Sequence, residues 1–413
     1  MQAAESLESA QVHPVIDAAI AKSLREKPDL RLVAELYNRI PIDTIFLKQT
    51  AFEVFRITLQ TIRERNIADQ HPSEYITFVL NTVKRQLQMS MLAEAEENTK
   101  TALELARTHY QHHQQKFRES LAESLETQAI IASALGRYEE SLRAQAEAIE
   151  LFRDAPVQTR DLARCLNNLS GVLKALGDAS GALRSSLEAV QLYRSLVTAD
   201  PRTSRTNFSQ GLQAWADDPR PNLADALIAL STHQNDVRQT QECLASAQEA
   251  FDIFFGLFQD FPDQFRHHYG MACFNLGVAK LAAKDGAGGV REMERAAEAY
   301  ASLAAIHPGA YQPDYAHILG GLAVALAQNG RVPDGLKAAE LCVAIYRTLY
   351  ERNSRKFIGQ LRSNLGNLKI LLDYPDISAG EMMLWGFGAV FTATVARRST
   401  ILSSSKRRLK RYS

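Results

Sequence analysis

What the chain has little of narrows it first. Its 413 residues include four cysteines, Cys165, Cys243, Cys273 and Cys342, far apart and never in a C-x-x-C pair, a spacing that argues against a zinc knuckle or a dithiol redox centre. They read instead as small buried residues of a reducing compartment. Glycine and proline are scarce, at 21 and 13, while alanine and leucine abound, which favours helices over strands. Neither sign of charge prevails, with 47 basic and 47 acidic residues, so nothing global points to nucleic acid or an anionic surface. The N-terminus has no basic segment followed by an apolar core and is not read as a secretory signal. The expectation is an intracellular, cytoplasmic protein.

Catalytic motifs are equally scarce. There is no G-x-x-x-x-G-K-[ST] loop, no serine nucleophile elbow and no paired-acid motif. Gly286-Ala-Gly288-Gly289 follows a helical stretch rather than a strand and reads as a turn between helices. His109 and His113 stand at i and i+4, a metal-ligand spacing, but the following stretch is polar and supplies no third ligand. They read as a solvated helix end, and His267-His268 is read in the same way. No enzyme, cofactor or metal site is expected.

What is present is a repeat. In Leu162–Gly177 the apolar residues Leu162, Cys165, Leu166, Leu169, Val172, Leu173 and Leu176 recur at helical spacing. Gly177 closes the helix as a left-handed cap would. A second amphipathic helix follows through Ala182, Leu183, Ala189, Val190, Leu192 and Tyr193. The same template fits 41 residues earlier, through Leu121, Leu125, Gly136 and Phe152, and 153 residues later, through Leu322, Gly330, Val343 and Tyr346. Further copies begin near Leu223 and Tyr269, a degenerate one near Tyr75, and a half copy near Ile358. Pro156, Pro201, Pro262 and Pro308 fall between one helix pair and the next, where a residue that stops helices punctuates an array.

The run Leu-Asn-Asn-Leu-Ser, then Ala-Leu-Gly, Gly-Ala-Leu and Glu-Ala-Val-Gln-Leu-Tyr-Arg resembles the tetratricopeptide repeat, in the longer variety of kinesin light chains and of many fungal and bacterial adaptor proteins. The resemblance covers roughly residues 73–373. It implies an all-α fold, an α-solenoid of antiparallel helical hairpins coiled into a right-handed superhelix. The organisation expected is a helical N-terminal cap over 1–70, about six hairpins plus a half repeat over 71–373, and an apolar helix with a basic tail over 374–413.

The tail gathers seven basic residues from Arg397 onward and no acid, which leaves a mildly acidic body of 40 basic against 47 acidic residues. Met382–Ala396 is uncharged, but as a helix it spans only about 22 Å, against roughly 30 Å of bilayer hydrocarbon. It reads as a helix covering the end of the solenoid. A weak anchor of the mitochondrial outer-membrane kind, and nuclear import through Lys406–Arg411, are the alternatives.

In tetratricopeptide arrays the first helices of successive hairpins line a concave groove. The groove position holds Asn81, Asn168, Asn275 and Asn364 in alternate copies, with Thr127, Ala229 and Gly321 between. The resemblance implies that these asparagines hydrogen-bond the main chain of an extended ligand, which suits a carboxamide that both donates and accepts. The alternative is that they bond only neighbouring side chains or water. Lys84, Arg164, Lys174 and Asn367 are expected on the same face; the cations are fewer than a full carboxylate-gripping set, which leaves an acidic peptide end as one option among ligands. The function implied is a scaffold or adaptor that binds an extended peptide or partner helix of a protein. A regulatory arm of a larger signalling assembly and a tail-anchored membrane adaptor are the rivals. No nucleic acid or small-molecule substrate is expected.

Overall fold

The computed structural model describes residues 14–27, 29–39, 48–64, 68, 71–88, 91–154, 159–199 and 218–373. The apolar segment and basic tail after Asp373 lie outside them, as do residues 200–217. The chain forms two compact units, residues 1–219 and 220–413. Among the described residues the regular structure is entirely helical.

The first unit opens with α1 (Pro14–Glu26), α2 (Leu30–Arg39) and α3 (Lys48–Glu64), which close over Leu24, Val33, Ala51, Val54 and Ile57. Asp17 caps α3: its carboxylate accepts from the backbone N–H groups of Gln49 and Thr50 at 3.0 and 2.8 Å. Three helical hairpins follow, α4/α5 (Pro72–Gln88, Leu92–His112), α6/α7 (Gln114–Ala134, Tyr138–Arg153) and α8/α9 (Thr159–Ala175, Ala179–Ala199). One core runs through them, from Phe55 and Ile76 to Leu166 and Ala189. Tyr37, Phe55 and Phe78 join it to the opening helices, with ring centroids 4.9–5.8 Å apart.

The second unit continues with α10/α11 (Arg220–Asp236, Thr240–Asp260), α12/α13 (Pro262–Ala282, Gly286–Ile306) and α14/α15 (Pro308–Gln328, Val332–Arg352). It ends on the single helix α16 (Ser354–Asp373). From α4 on, each helix packs chiefly on its sequence neighbours within its own unit, as an α-solenoid of hairpins requires. Pro262 and Pro308 stand as first residues of first helices, where the missing N–H costs nothing.

Every turn within these hairpins, from α6/α7 onward, uses one device. The second residue past the helix end has positive φ: Gly136 (75°), Gly177 (85°), Arg238 (61°), Lys284 (66°) and Gly330 (79°). The two bonds of a Schellman motif accompany it, such as Asp178 N to Leu173 O at 2.9 Å and Gly177 N to Lys174 O at 3.0 Å. The third and fourth turns of this series, at Arg238 and Lys284, place a cation where the sequence pattern favours glycine. Gly286–Gly289 is the first turn of α13, capped by Asp285, which accepts from Gly288 N at 2.9 Å.

The helix bounds also move the last copy. Phe117, Phe265, Tyr311 and Phe357 are each the fourth residue of a first helix and each is buried. The step from α14 to α16 is therefore 46 residues, and Leu361 rather than Ile358 matches Tyr315.

Candidate functional site

The predicted residues lie on first helices in both units, and the units are described in turn. In the first unit Asn81 (half-buried) and Lys84 (exposed) sit on α4, and Arg164, Asn168 and Lys174 on α8. Between those helices α6 contributes Glu119, Glu123 and Glu126, which the repeat pattern does not single out. Glu126 is buried, at 4% exposure, and is the centre of the arrangement. Arg164 grips it with two bonds, Nε to Oε1 at 2.8 Å and Nη2 to Oε2 at 2.6 Å. Asn168 Nδ2 adds a third at 3.2 Å, and Arg164 also reaches Asp161 at 2.9 Å. Burial opposes the charge on Arg164, yet the Glu126 carboxylate and its hydrogen bonds hold the guanidinium above its ordinary pKa.

Arg164 is thus occupied by two carboxylates of its own chain. The expectation that it grips an acidic ligand must allow for that, because a ligand carboxylate would have to displace a bidentate pair. Glu123 stands beside the pair. Burial pushes its carboxyl up, against the downward pull of Lys84 and Arg164. Asp161 and Glu119 raise it further, so this face carries more carboxylates than cations.

In the second unit Asn275 on α12 donates from Nδ2 to Met271 O, one turn earlier, at 2.9 Å. Its Oδ1 lies 3.5 Å from Thr232 Oγ1 on α10. Asn364 likewise donates to Gln360 O at 2.9 Å. With the step of 46 residues Asn364 leaves the register of Asn168 and Asn275 and packs against Gly320 of α14. Asn367 takes that register position on α16.

His267 and His268 are not the solvated pair expected. The His267 ring meets Tyr300 OH at 2.8 Å through Nδ1. His268 stacks on Phe254 at 5.1 Å and lies near Phe265, and burial followed by the neighbouring His267 lowers its pKa to about 4. Phe254 and Tyr300 come from the neighbouring helices α11 and α13, which the sequence around the histidines does not show. His109 and His113 remain at a helix end, with His109 stacked on Phe117 at 4.8 Å. Among the described residues no cluster of three His, Cys, Asp or Glu side chains is placed to hold a metal.

All four cysteines are free and buried, and burial raises the thiols, Cys243 to about 11 and Cys273 and Cys342 to about 12. A hollow of about 400 Å³ lies beside Tyr37, Ile62, Tyr75 and Phe78, away from the predicted residues. Among the described residues no helix is long and apolar enough to cross a membrane.

Residues 162–201, the α8/α9 hairpin, match the tetratricopeptide repeat family. The fold is similar to that of RapI in its apo form, at 12% identity over 78% of this chain and 97% of that one, with a TM-score of 0.53. BtubC from P. vanneervenii (15% identity, 64% of this chain and 95% of that one, TM-score 0.46) and aspartyl phosphate phosphatase F from Bacillus subtilis (10%, 89% and 92%, 0.46) are more distant in shape. No curated protein matches the sequence. The repeat match and the hairpin architecture make the chain a tetratricopeptide-repeat protein. Folds of this class typically serve as protein-interaction scaffolds rather than as enzymes.

Proposed function

We propose that this protein is a scaffold or adaptor whose first-helix faces hold an extended peptide or a helix of a partner protein. The reading rests on one observation above the rest. Asn81, Asn168, Asn275 and Asn367 recur at one register of α4, α8, α12 and α16, and all four are only half-buried. Within each unit, a carboxamide with spare donor or acceptor capacity on alternate first helices suits the amides of an extended chain. Lys84, Arg164 and Lys174 frame that path in the first unit, while Asn364 acts beside it against Gly320. With Glu119, Glu123 and Asp161 on the same face, the partner favoured there carries basic rather than acidic side chains.

The test is a peptide selected from a random library on the full chain. Asn168→Ala and Asn275→Ala should each weaken it about 2- to 13-fold, the equivalent of one neutral hydrogen bond of about 0.5–1.5 kcal/mol. Glu123→Gln should weaken basic peptides alone, and the loss should shrink with added salt. Unchanged affinity in both asparagine variants, with a lowered melting temperature, would show these side chains to be scaffold and overturn the assignment.

A further inference from the structure

The last described helix, α16, carries a stripe on the side that a second helix covers in the hairpins before it. In each closed hairpin from α6/α7 onward, the second helix descends on two small residues of the first. These are Ala122 and Ala129, Ala163 and Ser170, Ala224 and Ser231, Gly270 and Gly277, Ala316 and Ala323, all buried. The approach leaves no spare room: a Cβ on Gly270 would lie 2.8 Å from the Tyr300 ring, and one on Gly277 2.9 Å from Gly289 O. The matching positions of α16 are Arg362, exposed, and Lys369, half-buried. Between and beside them stand Ile358, at 45% exposure, and half-buried Leu365 and Leu372. Position for position, Leu365 replaces Leu125, Leu166, Leu227, Cys273 and Leu319, each at most 5% exposed.

The stripe Ile358, Arg362, Leu365, Lys369, Leu372 therefore alternates apolar and cationic residues along one line of the helix. Backbone-to-backbone closure of the hairpin type is blocked here by the two long side chains. An occupant that covers the three apolar residues must stand farther off and supply anions, because a cation enclosed without a partner is costly. A second copy of α16 would bring cations onto cations. The chain's own apolar run, Met382–Ala396, carries no acid; Asp376 and Glu381, the two acids after Asp373, both precede it.

We propose that this stripe is a docking surface for an amphipathic helix of a partner protein that carries two carboxylates seven residues apart on its apolar face. That spacing, about 10.5 Å along a helix, matches Arg362 and Lys369. The surface is separate from the first-helix register of the asparagines, so it stands or falls independently of the peptide reading.

The test uses the full chain and three synthetic amphipathic helices identical except at the two paired positions, which are Glu, Gln or Lys. The Glu peptide should bind about two- to thirtyfold tighter than the Gln peptide, as two ion pairs of about 0.2–1 kcal/mol each allow. Arg362→Glu with Lys369→Glu should reverse the preference towards the Lys peptide with the circular dichroism unchanged. An Ile358→Cys thiol, at the most exposed apolar position of the stripe, should label readily and be shielded by the Glu peptide. Any of four results overturns the proposal. One is equal binding of the three peptides. The others are an Ile358→Cys thiol protected at every protein concentration, which assigns the stripe to the chain itself, one protected only at high concentration, which assigns it to a second copy, and shielding by anionic vesicles but not by the Glu peptide.

Discussion

The pair Glu126–Arg164 is where a single substitution should be felt furthest. It joins α6 of one hairpin to α8 of the next, 38 residues on. Replacing Glu126 by Gln keeps the shape but removes the charge that two guanidinium bonds and one carboxamide bond converge on. Hydrogen bonds to a charged group are worth about 1.5–3 kcal/mol each. The Arg164 side chain, however, is 42% exposed and retains Asp161, so water recovers much of its share. The expected loss is therefore about 2 kcal/mol rather than the sum of three bonds. Arg164→Met should cost a similar amount, because it leaves Glu126, with a side chain 5% exposed, only Asn168 among these three bonds. The double variant should cost little more than either single one, giving a coupling of about 1.5–2 kcal/mol in a double-mutant cycle. Hydrogen exchange of α6 and α8 is the suitable assay, because an array need not unfold in one step. Additive losses, with coupling below about 0.5 kcal/mol, would refute the claim that this pair clasps neighbouring hairpins.

Two further outcomes follow from the backbone and from burial. Arg238→Gly and Lys284→Gly should each stabilise the second unit by about 0.5–1 kcal/mol, read as a raised denaturation midpoint, because both residues hold φ above 60° in a region costly to side chains. For His268, burial lowers the folded value to about 4 from an unfolded value of 6.5. The unfolded chain then takes up a proton that the native state refuses, so stability is full above about pH 6.5 and falls as the pH drops towards 4, by on the order of 3 kcal/mol in all. His317, also lowered by burial, adds to the same slope. His268→Phe should flatten the fall measured by urea titration at each pH, and an unchanged slope would refute the assignment.

The sequence alone determined the helical hairpins, their turns and their order, because each is written locally. An apolar stripe of period 3.6 decides a helix within a dozen residues, and Gly136, Gly177 and Gly330 end helices by their own backbone freedom. Tertiary structure decided what lay between hairpins. Arg164 looks like a ligand-gripping cation until Glu126, 38 residues earlier, is seen to hold it. His267 and His268 look solvated until Tyr300 and Phe254 close on them. The register of α16 turned on Phe357 being buried, which moves the position matching Asn168 and Asn275 from Asn364 to Asn367. Arg238 and Lys284 took a left-handed turn without glycine because packing of the flanking helices outweighs roughly 1 kcal/mol of backbone strain. The physical reason is common to all of these. Periodicity and turn chemistry act over one helical pitch and are read along the chain, whereas the partner of a buried charge or ring is chosen by distance in space, on which the order of residues is silent until the repeats are stacked.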